Sequence, residues 1–187
     1  MVDLIAAAFQ LQLQIESHGW RFCFIGGLAV QHWGEPRMTR DLDVSLLVGF
    51  GTEAPFVDAL LQHYPGRISD ARAFALERRI LLLRTESGIG IDVSLAALPF
   101  EERAVNRSIH VEFVPGVNLR ICSGEDLIVM KIFAGREIDL RDVRSIITRQ
   151  GENNFDWKYV ESQVSELAEL KEDPHMLPLL RKLRADG

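Results

Sequence analysis

The sequence predicts an α/β (α+β) fold: a mixed sheet flanked by helices, with a helical C-terminal part from about residue 123. Two observations predict it. Short apolar runs at 20–25, 40–48, 80–84 and 89–95 read as strands, several with period-two alternation. Beyond Ser123 the apolar residues recur only at helical spacing.

Taken in order, Leu4, Ile5, Ala8, Leu11 and Ile15 line one face of a helix over 4–18 that ends at Gly19. Trp20 to Ile25 form a strand broken by Gly26 and Gly27. Leu28 to Trp33 leave that turn as a short helix, stopped by Gly34, Glu35 and Pro36. In the strand 40–48, Leu42, Val44 and Leu46 fall on one face and Asp41, Asp43 and Ser45 on the other. A helix follows over 53–63, with Phe56, Ala59 and Leu60 inward. Strands 80–84 and 89–95 are joined by Glu86, Ser87 and Gly88 as a hairpin turn. In the second of these, Asp92 faces away from Ile89, Ile91, Val93 and Leu95. Residues 109–114 and 118–121 are expected as further edge strands around Pro115 and Gly116. Ser123 opens a helix that runs to about Ala134, with Asp126 completing a capping box. Helices over 139–149, 156–171 and 176–184 complete the chain, with Pro174 breaking the last two apart.

Composition narrows the function classes. Of the 187 residues, 47% are hydrophobic, enough for a packed core. No apolar run approaches the roughly 20 residues of a membrane span, and the first residues lack a basic region and a cleavage site. Cys23 and Cys122 share no metal-ligand spacing and are expected as reduced thiols of a cytoplasmic protein. The net charge of −6 gives no support to general nucleic-acid binding, although bound divalent ions would reverse the field around acidic residues.

The chemistry concentrates in three places. Glycines at a strand end let main-chain N–H groups approach phosphate oxygens, and the helix that follows points its positive end there. Asp41 and Asp43, one pleat apart on one face, repel unless a cation lies between them. Asp92 stands in a strand otherwise built of Ile, Val, Leu, Ser and Gly, where a carboxylate is costly unless paired or liganded. Magnesium takes carboxylates together with substrate phosphates. Three such acids fit a two-metal site, its ions about 4 Å apart.

These residues resemble the nucleotidyltransferase fold of the DNA polymerase beta superfamily. The matching parts are Ile25-Gly26-Gly27, then Asp41-Leu42-Asp43-Val44, then Ile91-Asp92-Val93. The segment Lys131-x4-Arg136-x2-Asp139-x2-Asp142 is similar to one in AbiEii-like nucleotidyltransferases, which include toxins of bacterial toxin–antitoxin systems. The resemblance implies a catalytic core over 1–122 and a helical subdomain over 123–187 packed on it. It implies that Asp41, Asp43 and Asp92 bind Mg2+, or Mn2+ in its place, and are catalytic, Asp92 as ligand or general base. It implies nucleotide contacts from Gly26, Gly27 and Lys131, with Arg40 and Arg37 flanking the acidic strand within reach of a triphosphate or balancing its charge. The family often carries Gly-Ser where this chain has Gly26-Gly27, which leaves a phosphate-binding hydroxyl to Thr39 or Ser45.

The expected activity is transfer of a nucleoside monophosphate from a nucleoside triphosphate to a hydroxyl of RNA, such as tRNA, or of protein. A toxin role and an antitoxin partner follow from the resemblance. A small-molecule acceptor of the antibiotic type, or a catalytically silent nucleotide-binding module, are the alternatives. Arg78, Arg79, Arg103 and Arg107 read either as a basic face for RNA or as a solvated surface. His32 and Trp33 read as packing residues. Arg136 with Asp139 reads equally as a salt bridge at a helix junction.

Overall fold

A computed structural model of the chain describes residues 2–185. Among the described residues six strands form one mixed sheet in the order β3-β4-β2-β1-β6-β5. They are β1 (Phe22–Phe24), β2 (Asp41–Leu47), β3 (Ile80–Arg84), β4 (Gly90–Ala96), β5 (Ile109–Val114) and β6 (Val117–Ile121). The helices are α1 (Val2–Ser17), α2 (Gly26–Trp33), α3 (Glu53–His63), α4 (Ala71–Arg78), α5 (Pro99–Asn106), α6 (Gly124–Ala134), α7 (Glu137–Gln150), α8 (Trp157–Lys171) and α9 (Met176–Ala185).

The chain divides into two compact units. The first comprises residues 1–28 and 38–122, and the second residues 29–37 and 123–187.

In the first unit, β2 and β4 run parallel with Asp43 opposite Asp92, and β1 pairs antiparallel to β2 with Phe24 opposite Val44. Leu42, Val44, Leu46, Ile91 and Val93 are fully buried, so the alternation pins the register and sends the intervening acids to the other face. Helix α1 packs on β6 and β2 through Leu4, Ile5, Ala8, Leu11 and Ile15, and it ends where Gly19 takes φ +70°. Helix α5 packs on β1 and β2.

Two corrections to the sequence reading arise here. Strand β6 is interior, not an edge: it runs parallel to β1 with Ile121 opposite Phe24 and pairs antiparallel with β5 on its other side, and its Leu119 and Ile121 are fully buried on one face. In helix α3 the buried residues are Val57 and Leu60, while Phe56 is half-buried and meets Trp20 in a tilted ring contact at 4.7 Å between centroids.

The outer edge of β3 is covered by an irregular segment that links α3 to α4. Gly66 bridges to Leu83, the Arg67 N–H donates to the Leu82 carbonyl at 2.9 Å, and the Arg84 N–H donates to the Pro65 carbonyl at 3.1 Å. This pairing occupies backbone groups that an edge strand otherwise exposes.

The second unit is helical. Ser123 caps α6, its hydroxyl accepting from the Asp126 N–H at 3.1 Å, and α6 packs against α7, α8 and α9. Leu127, Ile128, Val129 and Ile132 of α6 meet a core completed by Val143, Ile146, Val160, Val164, Leu180 and Leu183. Among the described residues no helix is long and apolar enough to cross a membrane.

Candidate active site

The first unit brings the three aspartates together on one sheet face. Asp43 and Asp92 are register partners on β2 and β4, and Asp41 lies one pleat before Asp43, opposite Gly90. Asp43 and Asp92 are half-buried and Asp41 is exposed, so the row runs from the sheet interior to its rim.

The glycine turn closes against the same row. The Ile25 N–H donates to the Asp43 carbonyl at 2.9 Å, which carries the β1–β2 ladder up to the turn. Gly26 then adopts φ +58°, a conformation that favours glycine, and opens α2. A Cβ on Gly26 would overlap the Asp43 carboxylate. The Gly27 N–H points at Asp43 Oδ2 from 3.4 Å, so the positive end of α2 faces that carboxylate. A Cβ on Gly27 would come within 2.5 Å of Thr39 Oγ1. Thr39 is therefore the hydroxyl beside the turn, while Ser45 is buried further along β2 opposite Cys23.

One residue of this cluster carries no sequence signal. Arg67 donates from Nη2 to Asp92 Oδ1 at 2.6 Å, and its Nη1 lies 3.8 Å from Asp41 Oδ1. It sits outside every helix and strand, in a turn between α3 and α4, so neither periodicity nor motif spacing singles it out. Burial raises the Asp92 carboxyl above the ordinary carboxylate range, the Arg67 charge opposes that rise, and the Asp41 charge adds to it.

A divalent metal fits this donor set by chemistry. Three hard carboxylates share one face, and a cationic group already stands between two of them. Among the described residues no group of three or more His, Cys, Asp or Glu is gathered closely enough to form a ready-made metal cage.

A family model for nucleotidyltransferases of unknown function (DUF6036) matches residues 3–176. The chain belongs to that family. Two solved structures share the nucleotidyltransferase fold. One is an antigenic nucleotidyltransferase-like protein from Paracoccidioides brasiliensis, 17% identical, with a TM-score of 0.54 over 95% of this chain and 92% of that one. The other is the antibiotic-resistance factor ANT(2'')-Ia, 17% identical, with a TM-score of 0.50 over 93% of this chain and 95% of that one. No curated protein sequence matches the chain.

The other expected residues of this nucleotidyltransferase-family chain take varied positions. Arg40 is exposed immediately before β2. Lys131, on α6 of the second unit, is 5% exposed, and its Nζ lies 2.7 Å from both Asp139 Oδ1 and Asp142 Oδ2. Arg37 grips Asp142 with both arms of its guanidinium, at 2.8 and 2.9 Å, and Arg136 grips Asp139 at 2.6 and 3.2 Å. Charges of alternating sign thus run Arg37, Asp142, Lys131, Asp139, Arg136 within that unit. Burial raises both carboxyls, but the hydrogen bonds and charges of these cations outweigh it and hold each below the ordinary range. His32 and Trp33 meet edge-to-face at 4.6 Å. Arg79 turns its guanidinium inward, onto the Gly49 and Leu95 carbonyls and Glu53, and so ties the end of β4 to α3. Cys23 and Cys122 are both buried and are not joined in a disulfide.

Proposed function

We propose that this chain transfers a nucleoside monophosphate from a nucleoside triphosphate to a hydroxyl acceptor, with Mg2+, or Mn2+, held by Asp41, Asp43 and Asp92. The observation that carries this reading is the register of Asp43 opposite Asp92 on parallel strands beside the Gly26-Gly27 turn. Divalent cations held there would supply charge neutralisation for the triphosphate.

The chain's own residues do the rest. Gly26 and Gly27 leave the start of α2 without side chains, so its positive end would draw phosphate oxygens to the row that holds Asp43, and Thr39 would add a hydroxyl beside the turn. Arg40, exposed immediately before β2, would contact the triphosphate. The acceptor oxygen bonds to the α-phosphorus and the bond to the β-phosphate oxygen breaks. Pyrophosphate leaves with that electron pair, and Asp92 takes the acceptor's proton.

The acceptor we favour is RNA, such as tRNA, or a protein, with a toxin role and an antitoxin partner. Support comes from the resemblance of the Lys131 to Asp142 segment to AbiEii-like proteins. The second reading is a small-molecule acceptor of the antibiotic type, favoured by the fold shared with ANT(2'')-Ia.

Incubation with each α-labelled nucleoside triphosphate and Mg2+, against RNA, cell lysate and a panel of aminoglycosides, tests all of these. Label is expected on one acceptor class with the native chain and on none with Asp43→Ala. Equal labelling by both proteins would sink the site assignment.

A further inference from the structure

We propose that Arg67 is a resident counter-cation of the three-acid site, which divalent metal must displace. The inference rests on the reading of Asp41, Asp43 and Asp92 as metal ligands.

Its backbone is fixed rather than left on a free loop. Gly66 bridges to Leu83 and the Arg67 N–H is bonded to the Leu82 carbonyl. Leu82 is itself the register partner of Asp92, which in turn is the partner of Asp43. Pairing across the sheet therefore delivers Arg67 to the row that holds the acids. The preceding glycine makes the tight approach possible, since a Cβ on Gly66 would lie 2.6 Å from the Ala71 Cβ.

The head group has a place prepared for it. Gly90 lies opposite Asp41 on β4, where a Cβ would overlap Asp41 Oδ1 and stand 2.6 Å from Arg67 Nη1. The missing side chain is thus the notch that admits the guanidinium between Asp41 and Asp92. There it satisfies the demand that these carboxylates make on any cation: they repel one another when unneutralised. A guanidinium supplies one positive charge and cannot shed its proton. A divalent ion supplies two in a smaller volume, so it wins when present, but only after breaking the 2.6 Å charge-assisted bond to Asp92. Arg67 is a positioning residue on this account. It keeps Asp41 and Asp92 in their rotamers before metal arrives and sets the metal concentration at which the site fills.

The distinguishing measurement is Mn2+ binding without nucleotide, read from the free-ion spectrum, for the native chain, Arg67→Gln and Arg67→Lys, with Asp43→Ala as control. A competing cation gives Arg67→Gln an affinity roughly three- to tenfold tighter than native, at unchanged stoichiometry. Arg67→Lys, which keeps the charge, falls back toward native. A purely structural arginine would not tighten binding when removed. Unchanged or weaker binding by Arg67→Gln, with the native chain binding Mn2+ through Asp43, overturns the role of Arg67 alone. Absence of Mn2+ binding in every protein overturns the metal reading, and this inference falls with it.

Discussion

Gly26 has no room for a side chain, because positive φ and the Asp43 carboxylate each exclude one. Gly26→Ala is expected to cost about 2 kcal/mol of stability and to remove transfer activity by displacing Asp43. Thermal unfolding beside a transfer assay checks both, and an active, fully stable variant would contradict the geometry. Asp92→Asn tests a different property. It keeps the size of the side chain but removes its basicity and a metal-ligand charge. Transfer should fall at least a hundredfold, in the range seen for loss of a general base, while stability should change little. A purely structural Asp92 would show the opposite pattern.

At the scale of elements, the α6–α7 pair is locked by the buried ion cluster of Lys131, Asp139 and Asp142. Lys131→Met leaves Asp139 and Asp142 facing each other without their shared cation, and breaking such a pair costs about 3–5 kcal/mol. Denaturant unfolding should show that loss, and a shift below 1 kcal/mol would mean that Arg37 and Arg136 neutralise the acids alone. This network also shows where sequence reading reaches its limit. Lys131, Arg136, Asp139 and Asp142 were legible as a spaced set, and α6 and α7 were placed within about two residues of their observed ends. The partners of Lys131 were not, because helical spacing carries no information on which side chains meet across a turn. The acid row was legible for the converse reason: period-two alternation alone decides which face a strand residue takes. Helices α4 and α5 escaped. Helix α4 has only Ala71 and Ala75 on its buried face, too little apolar contrast to register as a period. Helix α5 is a two-turn element whose signals are Pro99 at its start, the short stripe Phe100, Ala104 and Val105, and Glu101, whose Oε2 accepts from the Ala97 and Leu98 N–H groups at 2.8 Å. Arg67 belongs to no element, so no pattern of elements reveals it.

For the whole molecule, the lowered carboxyls of Asp139 and Asp142 make stability depend on acid. Their folded values lie below the unfolded value of about 3.9, so their contribution is complete above that pH. It is lost as pH falls through the folded values. Asp92 acts with opposite sign, since its raised carboxyl regains stability as it protonates. Urea unfolding between pH 7 and 3 should therefore show a decline below about pH 4 that is shallower in Asp142→Asn than in the native chain. A parallel decline would remove Asp142 from the explanation. The two compact units carry a consequence of another kind. The second unit draws on two stretches of the chain: Arg37 reaches Asp142, the Gln150 side chain donates to the Trp33 carbonyl at 2.9 Å, and the Glu35 N–H donates to Ser145 at 3.2 Å. A chain cut after residue 122 would retain 29–37 with none of these partners. No single genetic crossover can then add, remove or exchange the helical unit cleanly. Its inheritance is tied to that of the glycine turn and the acidic strand, whose codons bracket its first nine residues.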